Sequence, residues 1–288
     1  MAFILQEDDL KEAVPMFNSI PYELLHGSLR IAERKYLKPI LDTAEYANQV
    51  AAAGSATGND LALYNEIKDA LANIVVYLAV PKFDTNMTSH GFTVKKTETE
   101  APASQARVQN FRLSCLHDAM IGFDELLTFL ETNKATYTDW AGGEGYTELK
   151  QGFVNTTAQF NEFVDINDSR YLFMRLREDR TKVERTELKS FLGEALFAEI
   201  QAEIVSDTVS ADNTALLPFI REAVSCRAIT RGIVRLSLQV DEQGYLIGGI
   251  QEAMTMKMKS QAKDEHIDGM VRQYNADADR AFGELREY

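Results

Sequence analysis

Two stretches decide how this chain is read: AERKYLKPIL at residues 32–41 and VERTELKSFL at residues 183–192. Each carries Glu-Arg, two variable residues, Leu-Lys, two more and a Leu. Glu33, Arg34, Leu37, Lys38 and Leu41 match Glu184, Arg185, Leu188, Lys189 and Leu192 at a shift of 151 positions. Further anchors follow in the same order. NEIKDAL (65–71) faces PFIREAV (218–224), and SHGFTV (89–94) faces EQGYLI (242–247), both at a shift of 153. ASQARV (103–108) resembles KSQAKD (259–264), and DAMIGFDEL (118–126) faces DADRAFGEL (277–285) at a shift of 159. Ordered anchors with a slowly growing shift predict an internal duplication with short insertions between elements. The expected units are residues 1–135 and 153–288, joined by a linker at 136–152 that holds the single Trp.

The expected fold class is mainly α, each unit having about three helices and one projecting β-hairpin. In the first helix, about 28–53, Leu29, Ala32, Tyr36, Ile40 and Ala44 recur at spacings of three or four. Its counterpart carries Val183, Leu188, Leu192, Leu196 and Ile200. Gly-rich and small polar stretches at 51–60 and 206–213 read as loops. A second helix is expected over 61–79 and 214–234, and a third opens at Ser104 or Ser260, both good N-caps. Between the second and third helices the period shortens, and 83–96 and 235–249 read as hairpins. A lone hairpin is marginal in water, so each needs something to pack on. The turn residues His90, Phe92, Gln243 and Tyr245 are therefore the candidate partner contacts.

Composition bounds the function. The 288 residues carry 44 acidic and 30 basic side chains, a net charge of −14 that opposes general nucleic-acid binding. Such a charge suits solubility, or the wall of a passage along which DNA slides without sticking. Cys115 and Cys226 make no disulfide framework and read as buried thiols. The N-terminus lacks a basic segment before its short apolar run, and the longest apolar run, IVVYLAV (74–80), is too short for a membrane span. These features predict a cytoplasmic origin and no membrane association.

No chemistry is written in the motifs. The histidines at 26, 90, 117 and 266 stand at no metal-ligand spacing. DTNMTSHG (84–91) has the outline of a calcium loop, but Gly is missing at its sixth position and Lys95 stands where a Glu is needed. Phosphate-cradling Gly-rich loops and nucleophile elbows are absent from the sequence. The charged pairs Glu33-Arg34 and Glu184-Arg185 are expected on exposed helix faces. The chain is accordingly read as non-enzymatic, with no catalytic residue, no cofactor and no metal.

The combination ERKYLKPIL (33–41), ALANIVVYLAVPKFD (70–84), PASQARVQNFRLSCLHDA (102–119) and ELLTFLE (125–131) resembles a family of virion structural proteins. That family is encoded by tailed bacteriophages and prophages; QFNEFVDINDSRYLFMRLR (159–177) is similar to it as well. The family looks like the head-to-tail connector, or adaptor, class. The resemblance implies a homo-oligomeric ring, commonly about twelve-fold, beneath the portal. It implies portal and tail proteins as partners, DNA passing through the channel without sequence-specific binding, and location in the virion after synthesis in the host bacterial cytoplasm. The simplest adaptors have one helical domain, so the duplication departs from the pattern. The alternative reading is a soluble binding protein that holds a small ligand or a host protein between its two units.

Overall fold

The computed structural model describes residues 4–14, 21–52, 55–83, 86–88, 91–93, 104–241, 244–247 and 264–287. The chain is mainly α-helical and divides into two compact units, Met1–Gly145 and Tyr146–Tyr288.

In the first unit, α1 (Glu7–Ala13) precedes α2 (His26–Ala32), a π turn (Glu33–Leu37) and α3 (Lys38–Ala52). The long helices α4 (Asn59–Phe83) and α5 (Gln105–Thr132) form the centre. Helix α4 is buried on nearly every side, because Leu63, Ile67, Ala70, Leu71, Ala72, Ile74 and Val75 leave no polar stripe. An all-round apolar helix has to be wrapped by others. At Gly122 of α5 a Cβ would stand 2.7 Å from the Ala70 Cα, so the two helices meet where neither has bulk. The first unit ends in α6 (Thr138–Ala141) and the start of α7 (Glu144–Gln151).

The second unit has more short helices before its long pair. They are α8 (Thr157–Asn161), α9 (Arg170–Arg175), α10 (Arg177–Val183), a second π turn (Glu184–Leu188), α11 (Lys189–Leu192) and α12 (Glu194–Ser206). Helices α13 (Ala211–Ser237) and α14 (Asp264–Glu287) close the unit. Phe153, Phe160, Phe173, Leu176, Val183, Leu188, Ile200, Ile220 and Val224 make its core.

Each long pair is separated by a short antiparallel strand pair. Strand β1 (Asn86–Thr88) pairs with β2 (Gly91–Thr93), and β3 (Leu238–Asp241) with β4 (Gly244–Ile247). Phe92 faces Met87 in one register and Tyr245 faces Val240 in the other.

The boundary between the units, after Gly145, falls inside the stretch expected as a linker, 136–152, which is not without packing. Tyr137 and Trp140 are buried in the first unit, where the Trp140 indole N–H donates to the Ile40 carbonyl at 2.8 Å, and Leu149 belongs to the core of the second. The first helix of each unit is also not continuous. Each contains a π turn, and each breaks at a residue in the positive-φ region, Asp42 at 63° and Gly193 at 81°, again 151 positions apart. Glycine adopts this backbone freely. Asp42 is held there by its own carboxylate, which accepts the Thr43 N–H and, at 3.0 Å, the Glu144 N–H. The close approach requires Gly143, where a Cβ would lie 2.5 Å from the Asp42 carboxylate.

Candidate functional site: the buried glutamates of the two π turns

The pattern of burial through the two π turns repeats residue for residue. Leu25, Ser28, Leu29, Ala32, Glu33 and Leu37 are buried in the first unit. Leu176, Asp179, Arg180, Val183, Glu184 and Leu188, each shifted by 151, are buried in the second. Arg34 and Arg185 are exposed in both. The expectation that Glu33 and Glu184 lie on exposed faces is therefore corrected. A π turn adds one residue to a helical turn, and in each unit it begins at the buried glutamate.

Each buried carboxylate has the same task. Glu33 Oε1 accepts the backbone N–H of Ile4 at 2.9 Å, and Glu184 Oε1 accepts that of Phe153 at 2.9 Å. Both residues belong to an arm that leads into the unit's first short helix, and each arm's carbonyl is also held. The Ile4 carbonyl accepts from the Tyr64 hydroxyl at 3.2 Å, and the Phe153 carbonyl from Arg221 Nε at 3.3 Å. A buried arm with no sheet to pair with needs side-chain partners for its main-chain groups, and these supply them.

The second carboxylate oxygen is served differently. In the first unit the Tyr46 hydroxyl donates to Glu33 Oε2 at 2.9 Å. The position 151 residues later is Phe197, which has no hydroxyl and packs its ring 4.9 Å from that of Phe153. There the compensating group is Arg180, at the position equivalent to Leu29. Its buried guanidinium lies 3.4 Å from the centre of the Phe173 ring and draws Glu184 electrostatically. Arg180 Nη1 has no hydrogen-bond partner among the described residues.

These environments set the titration. Burial pushes the Glu184 carboxyl up to about 7, against the pull of the Phe153 N–H and of Arg180. Burial brings Arg180 down to about 9, opposed by Glu184. Burial also raises Glu33, while the Ile4 N–H, Tyr46 and Lys38 act to lower it. The thiols of Cys115 and Cys226 are buried as expected and are pushed up to about 11 and about 12, mainly by burial.

A similar pair of contacts, one in each unit, fastens α2 and α10. Lys82 Nζ donates to Ser28 Oγ at 2.8 Å, and Arg235 donates to Asp179 Oδ2 through Nε at 2.9 Å and Nη2 at 2.8 Å. Ser28 and Asp179 are related by the 151 shift, Lys82 and Arg235 by the 153 shift.

The candidate contact residues lie elsewhere. His90 and Gln243 are outside the described residues. Phe92 and Tyr245 occupy β2 and β4, and their side chains are outside the described residues as well. Among the described residues, no group of His, Cys, Asp and Glu is arranged to hold a metal ion, and no helix is long and apolar enough to cross a membrane. An open depression of about 510 Å³ in the second unit is lined by Glu148, Arg177, Glu178, Lys182 and Arg185, with Arg177 paired to Glu148 at 3.5 Å.

The buried glutamates had a signal in the sequence. Glu33 has Leu29 four residues before it and Leu37 four after, both apolar, so it lies inside the apolar stripe. The same holds for Leu188 after Glu184. The phase of the stripe, rather than residue type, marked them.

Neither a curated protein nor a solved structure matches the chain. A family model does, over residues 36–149 and 188–288. By that match the chain belongs to DUF6712, a family of unknown function.

Proposed function

We propose that the two units are diverged copies of one helical module and that the chain is a non-enzymatic assembly protein, a head-to-tail connector of a tailed phage that forms a ring around the DNA channel below the portal. The observation that carries this reading is the use made of the buried polar groups. Glu33, Glu184, Ser28 and Asp179 each hold a chain segment or a helix end in its own unit. Buried ionisable groups in an enzyme are typically turned toward a pocket, where their shifted pKa values serve chemistry. Here they fasten a scaffold.

Support for the duplication comes from the paired π turns and the paired positive-φ breaks at a shift of 151, the Ser28 and Asp179 clasps at shifts of 151 and 153, and the glutamate clasps, whose held residues Ile4 and Phe153 stand 149 apart. The family match also begins inside the π turn of each unit, at residues 36 and 188. The resemblance of the helical segments to virion adaptors supplies the setting: the virion, with portal and tail proteins as neighbours. In this reading the strand pairs, with His90, Phe92, Gln243 and Tyr245 at their turns, grip adjacent subunits.

Native mass spectrometry across a concentration series, alone and with the portal protein encoded beside it, tests the proposal. A large closed oligomer supports it. A monomer that retains a small molecule and ignores the portal would replace it with the binding-protein reading.

A further inference from the structure

The helix entering the first π turn carries an unusual face. Residues 24–41 hold four cations, Arg30, Arg34, Lys35 and Lys38, and one acid, Glu33, which is buried. All four cations are exposed, and none forms a salt bridge with another described residue. Leu24 and Ile31, seven positions apart on the same helical side, are 60% and 45% exposed among them. This basic and apolar face stands on a chain whose net charge is −14.

The equivalent face of the second unit is different. Thr181 and Thr186 replace Arg30 and Lys35, Arg175 and Lys182 replace Leu24 and Ile31, and Glu178 replaces Gly27. Of the cations there, Lys189 pairs with Glu194 at 2.8 Å and Arg177 with Glu148, while Lys182 and Arg185 are exposed and the acids Glu178 and Glu187 stand among them. The second unit instead presents the opposite character along α12, the loop after it and the first turn of α13. Residues 190–220 contain Glu194, Glu199, Glu203, Asp207 and Asp212 and no Lys or Arg. Val205, 57% exposed, lies on the Glu194 side of α12. Asn213 and Ser210 donate to Glu203 and hold its carboxyl below the usual range, so that charge is fixed. In the first unit the two acids of α3 are engaged, with Glu45 buried and Asp42 bound to the Glu144 N–H.

We infer that the basic face of Leu24, Arg30, Ile31, Arg34 and Lys35 is a docking surface for the acidic α12 face of a second copy of this chain. Opposite charge, with Leu24 and Ile31 exposed among the cations, fits a protein partner, since phosphate binding has no use for exposed Leu and Ile. Each chain offers one face of each kind, so the contact is heterologous: it joins unit one of one copy to unit two of the next and closes a ring when the rotation permits. The inference rests on the ring reading and adds to it the surfaces that make the ring.

Two charge-reversed full-length variants test it, Arg30→Glu/Arg34→Glu and Glu199→Lys/Asp212→Lys, with folding checked by circular dichroism and size by sedimentation velocity. The wild type is expected to self-associate, less strongly as salt rises from about 50 to about 500 mM. Each variant alone should lose at least about tenfold in self-affinity. Mixed together, the two are complementary at both contacts, since the reversed face of each meets the reversed face of the other, and recovery of association with the variants alternating is the expected result. An oligomer that both folded variants form as well as the wild type overturns these faces and leaves the ring reading standing. A wild type that stays monomeric throughout overturns head-to-tail self-docking, and the portal-dependent measurement then decides the ring reading separately.

Discussion

Glu184 Oε1 accepts the backbone N–H of Phe153 at 2.9 Å from inside a π turn, and 151 residues earlier Glu33 does the same for Ile4. The two clasps share geometry and differ in what balances the carboxylate. That difference makes the halves respond unequally to the same substitution. Glu184→Gln keeps an acceptor for Phe153 and removes a charge that burial disfavours, so it should be near neutral at about pH 5 and stabilising by about 1–2 kcal/mol at about pH 8. Glu33→Gln keeps an acceptor for Ile4 and leaves the Tyr46 hydroxyl able to accept, so about 1 kcal/mol is expected. Urea unfolding of both variants, followed by tryptophan emission from the first unit and circular dichroism for the whole, checks the order.

The alternative partners should be exchangeable. Arg180→Leu removes the charge that faces Glu184 and is expected to destabilise the second unit by about 2–3 kcal/mol. Adding Phe197→Tyr supplies the hydroxyl found at Tyr46 and should recover roughly 1 kcal/mol of that loss. A double-mutant cycle reads the coupling directly. Equal stability of the single and the double variant would show that Tyr46 and Arg180 are not equivalent devices.

Protonation of Glu184 links the fold to pH. Its folded pKa, about 7, lies above the ordinary 4.5, so the folded state binds this proton more tightly. The contribution to stability is full below about 4.5 and is lost as pH rises through 7. Arg180, at about 9, stays protonated across that window. Denaturant midpoints between about pH 4.5 and pH 7.5 should therefore fall for the wild type relative to Glu184→Gln, by on the order of 2 kcal/mol. Parallel curves would contradict the burial of a titrating carboxyl.

Backbone strain separates the two breaks after the π turns. Gly193→Ala places a Cβ at φ 81° with nothing gained and should cost about 1–2 kcal/mol. Asp42→Gly relieves a comparable strain but loses the acceptor for the Glu144 N–H, so its net change is expected within about 1 kcal/mol. Thermal unfolding of both variants measures the contrast.

Helical periodicity made much of this visible from the sequence. The stripes Leu63, Ile67, Ala70, Leu71 and Ile74, and Cys115, Ala119 and Leu126, are buried in α4 and α5. The first helix was misread because periodicity assumes one continuous rise. A π turn and a positive-φ residue reset the phase, and nothing in Glu33-Arg34-Lys35-Tyr36 announces the extra residue. The packing within the stretch 136–152 was not legible either. Gly142 and Gly143 suggest a flexible joint, whereas Gly143 is needed for the close approach of Asp42. The clasps were beyond local patterns altogether, since Ile4 and Glu33, or Lys82 and Ser28, meet only through the fold.

The most direct test of the central proposal is single-particle electron microscopy of the purified chain, alone and mixed with its portal protein. Closed rings with an axial opening, each subunit joining unit one to unit two of its neighbour, are the expected result. Isolated two-unit particles that neither close into rings nor attach to the portal would contradict it.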